Sequence, residues 1–262
     1  MVQVVKVLVT FALENEFSPW RRLREFRRVS PGGVEKFTAE IGSTEVAVVI
    51  TGVGPRQAAV VASKSMEAER ESLKFCISSG LAGALQPGHN IAETLVARRV
   101  TSERTHADFT RSAIESSAAL VSFADELGAS VVGKFCTVGR VIYRADEKRG
   151  MSGVADAVEM ESFEVLREAA SRGIPAVAIR SVSDVVDEEL PLDLNRVFDD
   201  QGRVSFPRVM GQVALHPGSI SALMRLGQRS RLAAESLAKF LDRYVVFVAE
   251  RMANLETQAA VN

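Results

Sequence analysis

Short apolar runs rich in β-branched residues recur over the first 180 or so positions, separated by stretches with helical spacing. Val4–Val9, Val46–Ile50, Phe75–Ser78 and Ala176–Ile179 predict strands buried on both faces. Thr94–Ala97 and Lys134–Val138 are weaker strand candidates. Apolar positions at helical spacing predict helices over Arg56–Glu69, Arg111–Leu127 and Ser162–Arg172. Gly173 and Pro175 supply a stop for the last helix and a start for the strand after it. Such alternation predicts an α/β fold: a central, twisted, mixed β-sheet flanked by helices. No repeat, linker or sharp change in composition divides the chain, so residues 1–262 are expected to form a single domain.

The pattern changes near position 190. Pro191, Pro207 and Pro217, with turn residues at Asp199–Gly202, predict an irregular excursion over 190–218. One long helix or two should follow over 219–254, with Ser219 as N-cap. Leu223, Leu226, Ala233, Leu237, Phe240, Leu241 and Tyr244 form its apolar stripe. Packing against the sheet is the ordinary use of such a stripe; a dimer face or a lipid-facing surface are the alternatives. Arg21, Arg22, Arg24, Arg27 and Arg28 lie close together and read either as a solvated helix face or as a patch for phosphate or anionic membrane.

The charge is nearly balanced, 32 Lys and Arg against 33 Asp and Glu, which argues against a nucleic-acid binder and for a small-molecule partner. Cys76 and Cys136 sit in apolar runs and read as buried, reduced thiols. His89, His106 and His216 are far apart and show no metal-ligand spacing, so no metal is expected. Gly52-Val53-Gly54 begins a dinucleotide fingerprint, but Gln57 breaks it. No phosphate-binding loop and no Gly-x-Ser-x-Gly elbow are present. No apolar run is long enough to span a bilayer and no leader is visible, so a cytoplasmic location is expected.

What stands out is acidic. Glu14 and Glu16 follow the first strand, Glu159 and Glu161 flank Met160 at a strand-to-helix junction, and Asp184 closes the run from Ala176. In open α/β sheets ligands bind beyond the carboxyl ends of strands. Each acid alone fits a helix cap or a first-turn charge. Several at one end of a sheet point to general acid and base chemistry.

The segments Ala-Val-Glu-Met-Glu-Ser at 157–162 and Ser-Val-Ser-Asp-Val-Val-Asp at 181–187 resemble the two signatures of the nucleoside phosphorylase/nucleosidase superfamily. Ser-Gly-Leu-Ala-Gly-Ala-Leu at 79–85, Thr51–Gly54 and Phe11–Glu16 resemble its glycine turn, its turn after an early strand and the N-terminal segment of its nucleosidases. Segments around 140–148, 190–207 and 216–218 are similar to a hopanoid-associated phosphorylase branch, linked to adenine removal from adenosylhopane.

The resemblance implies cleavage of a purine N-glycosidic bond without a cofactor. It makes Asp184 the acid serving N7 of the base, with a pKa raised by partial burial, and makes Ser183 its positioner. Glu161 would accept hydrogen bonds from the ribose hydroxyls as a carboxylate, and Met160 would pack on the ribose. Ile142 and Tyr143 would meet the base, with Ala82 and Gly83 of the glycine turn also at the substrate; Ile142 stands where relatives often carry a stacking phenylalanine. Arg180 reads as a site residue or as a structural ion pair. Glu16 is the residue that activates water in hydrolytic members, which favours hydrolysis. Phosphorolysis, with phosphate as co-substrate, stays open through Arg56, Arg140 and Gly54, although Ser78 stands where phosphorolytic members commonly place an arginine. A homo-oligomer, a dimer or larger, is expected, with membrane contact only for a lipid nucleoside. A non-catalytic nucleoside-binding protein and a membrane-surface module are the alternatives from other classes.

Overall fold

The computed structural model describes residues 5–30, 34–69, 72–103, 113–197, 199, 205 and 220–261. The first apolar run forms β1 (Val5–Phe11), which pairs in parallel with β4 (Thr44–Ile50) on one side and with β5 (Leu73–Ala84) on the other. The short β2 (Arg27–Val29) and β3 (Lys36–Ile41) extend the β4 side by antiparallel pairing. On the other side, β10 (Ala176–Asp184) runs parallel to β5 and antiparallel to β6 (Thr94–Ser102). The path continues through β8 (Ser130–Thr137) to β9 (Ala157–Glu159), which pairs back onto the end of β5. The sheet is therefore mixed, as expected, and closes on itself around the far half of β5. Cys76 on β5 and Cys136 on β8 are buried free thiols, and burial pushes Cys76 up to about 12.

Helices cover both faces: α1 (Glu14–Leu23), α2 (Pro55–Ala68), α3 (Ala118–Glu126), α4 (Ala145–Met151), α5 (Ser162–Ala170) and α6 (Ile220–Val261). The expected helix over Arg111–Leu127 is corrected. Ala113–Glu115 is instead β7, an edge strand against β6 with Ile114 packed on the core, and the helix starts only at Ala118. Its backbone groups meet partners on the open edge of β6, which outweighs a modest helix propensity. Arg111 and Ser112 lie outside the described residues. So does most of the expected excursion over 190–218, where Leu194–Arg196 forms a 3-10 turn.

The C-terminal stretch is one helix and runs past the expected end, although Ser219 lies outside the described residues. Its middle, from Ala233 to Ala249, is buried against α1, β5 and β10, in one core with the aromatic cluster of Phe11, Phe17 and Trp20. Leu223 and Leu226 are only half-buried. Polar ties also hold α6, among them Asp242, which accepts hydrogen bonds from Trp20 Nε1 at 3.1 Å and Arg24 Nε at 2.8 Å, and Tyr244 Oη, which donates to Leu120 O at 2.7 Å. In the arginine cluster, Arg21, Arg24 and Arg28 meet Glu14, Asp242 and Glu35. These are solvated ion pairs, but the expected single helix face is corrected: only Arg21 and Arg22 lie on α1, and Arg27 and Arg28 lie on β2. Among the described residues no helix is long and apolar enough to cross a membrane.

Burial of the α6 stripe sets an expectation. Leu241→Ala should cost about 2–5 kcal/mol in urea unfolding, whereas Met224→Ala, at an exposed position, should change stability by less than about 0.5 kcal/mol. Equal effects would remove α6 from the core.

Candidate active site

The ends of β1, β5, β9 and β10 meet at one pocket. β1 turns at Ala12 and Leu13 into α1, whose third residue is Glu16. Glu16 Oε2 accepts the Ala12 and Leu13 N–H groups at 3.1 Å each, and Oε1 accepts the Leu81 N–H at 3.3 Å. This is the reach-back of a capping-box glutamate, and the same carboxyl lines the pocket. Burial raises its pKa by more than Arg180 and the three N–H groups lower it.

Glu159 ends β9 and caps α5: Oε2 accepts the N–H groups of Glu161 at 2.9 Å and Ser162 at 2.7 Å, and Thr137 Oγ1 donates to Oε1. Glu161 is the N-cap residue of α5, and its Oε1 accepts the Gly54 N–H at 2.9 Å. Between the two glutamates lies Arg180 on β10, 1% exposed. Its Nη2 stands 2.5 Å from Glu159 Oε2, 2.9 Å from Ser162 Oγ and 3.5 Å from Glu161 Oε2. Gly80 makes room for this guanidinium: its φ is +145°, and a Cβ there would lie 2.5 Å from Arg180 Nη1 and 3.3 Å from Glu16 Oε2.

One guanidinium cannot hold two buried glutamates ionised equally. Burial disfavours charge on Glu159, but Arg180, Thr137 and the two backbone donors outweigh it and keep that carboxyl below its ordinary range. Burial pushes Glu161 up to about 8; the more distant Arg180 opposes this, and the Glu159 charge adds to it. The expected ionised diol acceptor is thus the carboxyl of the pair with the raised proton affinity. The sequence could not show that Glu159 takes the closer contact to the cation.

Asp184, the last residue of β10, is buried. Ser183 Oγ donates to its Oδ1 at 2.7 Å, as the expected positioner should, and Lys148 Nζ of α4 donates to its Oδ2. Gly83 packs against the same carboxyl: a Cβ there would lie 2.8 Å from Oδ2. The sequence expectation counted burial alone; the structure adds a buried ammonium.

Glu16, Ala82, Gly83, Arg140, Ile142, Met160, Glu161, Ser183 and Asp184 all line the pocket. Tyr143, Gly54 and Arg56 do not. Tyr143 offers its carbonyl to the Leu190 N–H, Gly54 spends its N–H on Glu161, and Arg56 lines a separate cavity with Glu103 and Arg167. Arg140 reaches the rim but pairs with Glu147. Glu14 is exposed and pairs with Arg21. Sequence reasoning gave Glu159 no role of its own and missed Lys148; Leu190, Leu194 and Leu226 form an apolar wall of the pocket. Among the described residues no group of three or more His, Cys, Asp or Glu side chains could hold a metal ion.

The sequence profile of the Phosphorylase superfamily matches residues 6–210. A 5′-methylthioadenosine/S-adenosylhomocysteine nucleosidase of Geobacillus thermodenitrificans is 23% identical over 235 residues, covering 80% of this chain and 97% of its own. Among solved structures, a futalosine hydrolase mutant of Helicobacter pylori superposes with a TM-score of 0.71 at 19% identity, covering 93% of this chain and 99% of its own. A Neisseria meningitidis nucleosidase in complex with methylthio-immucillin-A gives 0.70 at 20% identity, with 93% and 99% covered.

The raised Glu161 value predicts a pH effect on stability. Below the ordinary value of 4.5 the carboxyl is protonated in both folded and unfolded chains, and up to about 8 the folded chain alone keeps the proton. Its contribution is therefore lost as pH rises through that window. Glu161→Gln keeps an acceptor for Gly54 and has no proton to lose. Thermal melts should show the wild type losing ground to this variant between pH 5 and pH 8; a constant gap would contradict the assignment.

Proposed function

Since the chain belongs to the Phosphorylase superfamily, we propose that it is a hydrolytic nucleosidase that cleaves the N-glycosidic bond of an adenine nucleoside. The observation that carries hydrolysis is the charge of the pocket. Among its described lining residues Glu16, Glu159, Glu161 and Asp184 bring carboxyl groups, and Arg140 alone brings a cation, already bound to Glu147. A phosphate dianion needs free arginine or lysine donors. A water molecule needs a base, and burial moves Glu16 toward the range where a carboxylate is an effective one. The names of the matched relatives, nucleosidases and a futalosine hydrolase, agree with this reading.

On this reading the C1′–N9 bond breaks with its electron pair passing to the base. Asp184 delivers a proton to N7, so that the base leaves neutral. Glu161, as a carboxylate, accepts hydrogen bonds from the ribose 2′ and 3′ hydroxyls while positive charge grows on the sugar. Its negative charge stabilises the oxocarbenium-like state. Met160 packs on the ribose and Ile142 on the base. Glu16 takes a proton from water as its oxygen adds to C1′. Leu190, Leu194 and Leu226 give one wall of the pocket an apolar lining, which suits an adenosine with an apolar 5′ substituent, adenosylhopane included.

Adenine release should be followed from adenosine, methylthioadenosine and a 5′-alkyl adenosine, each with and without phosphate. Phosphate-independent release is expected, fastest with an apolar 5′ group. Asp184→Asn should slow turnover about 10²–10⁴-fold, the usual size of a general-acid contribution. Strict phosphate dependence would overturn hydrolysis, and near-normal turnover of Asp184→Asn would overturn the acid role.

A further inference from the structure

Among the described residues outside the Arg180 cluster, Lys148 is the most completely buried cation, and the proposed chemistry leaves it unused. It lies midway along α4, whose neighbouring side chains Asp146, Glu147 and Arg149 are charged, yet it is 0% exposed. Lysine is almost never fully buried unless its charge is matched. The ammonium has three protons and finds three acceptors: Asp184 Oδ2, the Glu188 carbonyl at 2.9 Å and the Val185 carbonyl at 3.3 Å. All three belong to the end of β10 and the segment that leaves it. The same segment is tied to the chain around α4 at two more points, Leu190 N–H to Tyr143 O at 2.8 Å and Arg149 to Asp187 at 3.0 Å. Lys148 is thus the buried centre of a clamp that fixes both Asp184 and the backbone leading to Leu190 on the pocket wall.

We propose that Lys148 is a positioning residue for Asp184: its ammonium orients the carboxyl between Ser183 and Gly83, so that the acid faces the leaving base. The contact fixes the direction of proton delivery. The other charged groups of the site are Glu16 on α1, Glu159 on β9, Glu161 at the start of α5, Arg180 on β10, and the Arg140–Glu147 pair at the rim. The contacts of the Lys148 ammonium, to Asp184, Val185 and Glu188, involve none of them, so its removal should act on Asp184 first.

This inference rests on the proposed nucleosidase activity, and the test separates the two. Wild type, Lys148→Met, Lys148→Gln and Lys148→Arg are assayed for adenine release across pH 5–9, with melting temperatures in parallel. No release by the wild type with any substrate would overturn the activity and the inference built on it. Given wild-type activity, the two neutral variants should lose about ten- to a hundredfold in kcat with a smaller change in KM. That split between kcat and KM is what a merely structural role would not give. Lys148→Arg keeps a cation for Asp184, so its kcat should fall less than in the neutral variants. A near-normal kcat in the neutral variants would overturn the proposal, and so would failure of both to fold, which would assign Lys148 to the fold alone.

Discussion

A single buried guanidinium makes this site possible. Arg180 sits beneath the pocket with Glu159 and Glu161 in contact and Glu16 close enough to feel its field. Without it, closely placed carboxyls could not persist in a buried space, because removing one partner of a buried pair typically costs about 3–5 kcal/mol. The backbone is shaped for it. Gly80 adopts a φ of +145°, and any side chain there would strike the guanidinium. The cation also sorts the acids: the nearer Glu159 is held ionised as the cap of α5, and the farther Glu161 is left with a raised proton affinity.

The acids therefore have two duties at once. Glu16 satisfies the free backbone donors at the start of α1, and Glu159 those at the start of α5, while both line the pocket. Helix capping and site chemistry, which the sequence offers as alternatives, are one arrangement here. Strand ends bring the helix starts together, and the helix starts orient the carboxyls. A site held in this way is preorganised before any ligand arrives.

How much of this was legible depended on the range of the interactions. β1, β4, β5 and β10 were visible because a strand buried on both faces leaves an almost continuous apolar run. β9 shows only as the junction before α5, since Ala157–Glu159 is too short to show a period, and Ala113–Glu115 reads as helix because sheet-edge partners, not local propensity, decide it. Glu16, Glu161 and Asp184 stood out through motifs at the ends of elements. Lys148 lies in a run of charges, Arg144–Arg149, that reads as a solvated helix face; only the fold brings it to Asp184, 36 positions away. Arg56 and Tyr143 were placed by proximity to motifs, and the direction of their chain segments carries them elsewhere.

The central claim is that a pocket rich in carboxyl groups and poor in free cations activates water and not phosphate. The most direct measurement is mass spectrometry of the sugar product formed in oxygen-18 water with saturating phosphate present. The account predicts a free sugar carrying the heavy oxygen at C1′, and no sugar phosphate. A ribose 1-phosphate product without the label at C1′ would contradict it.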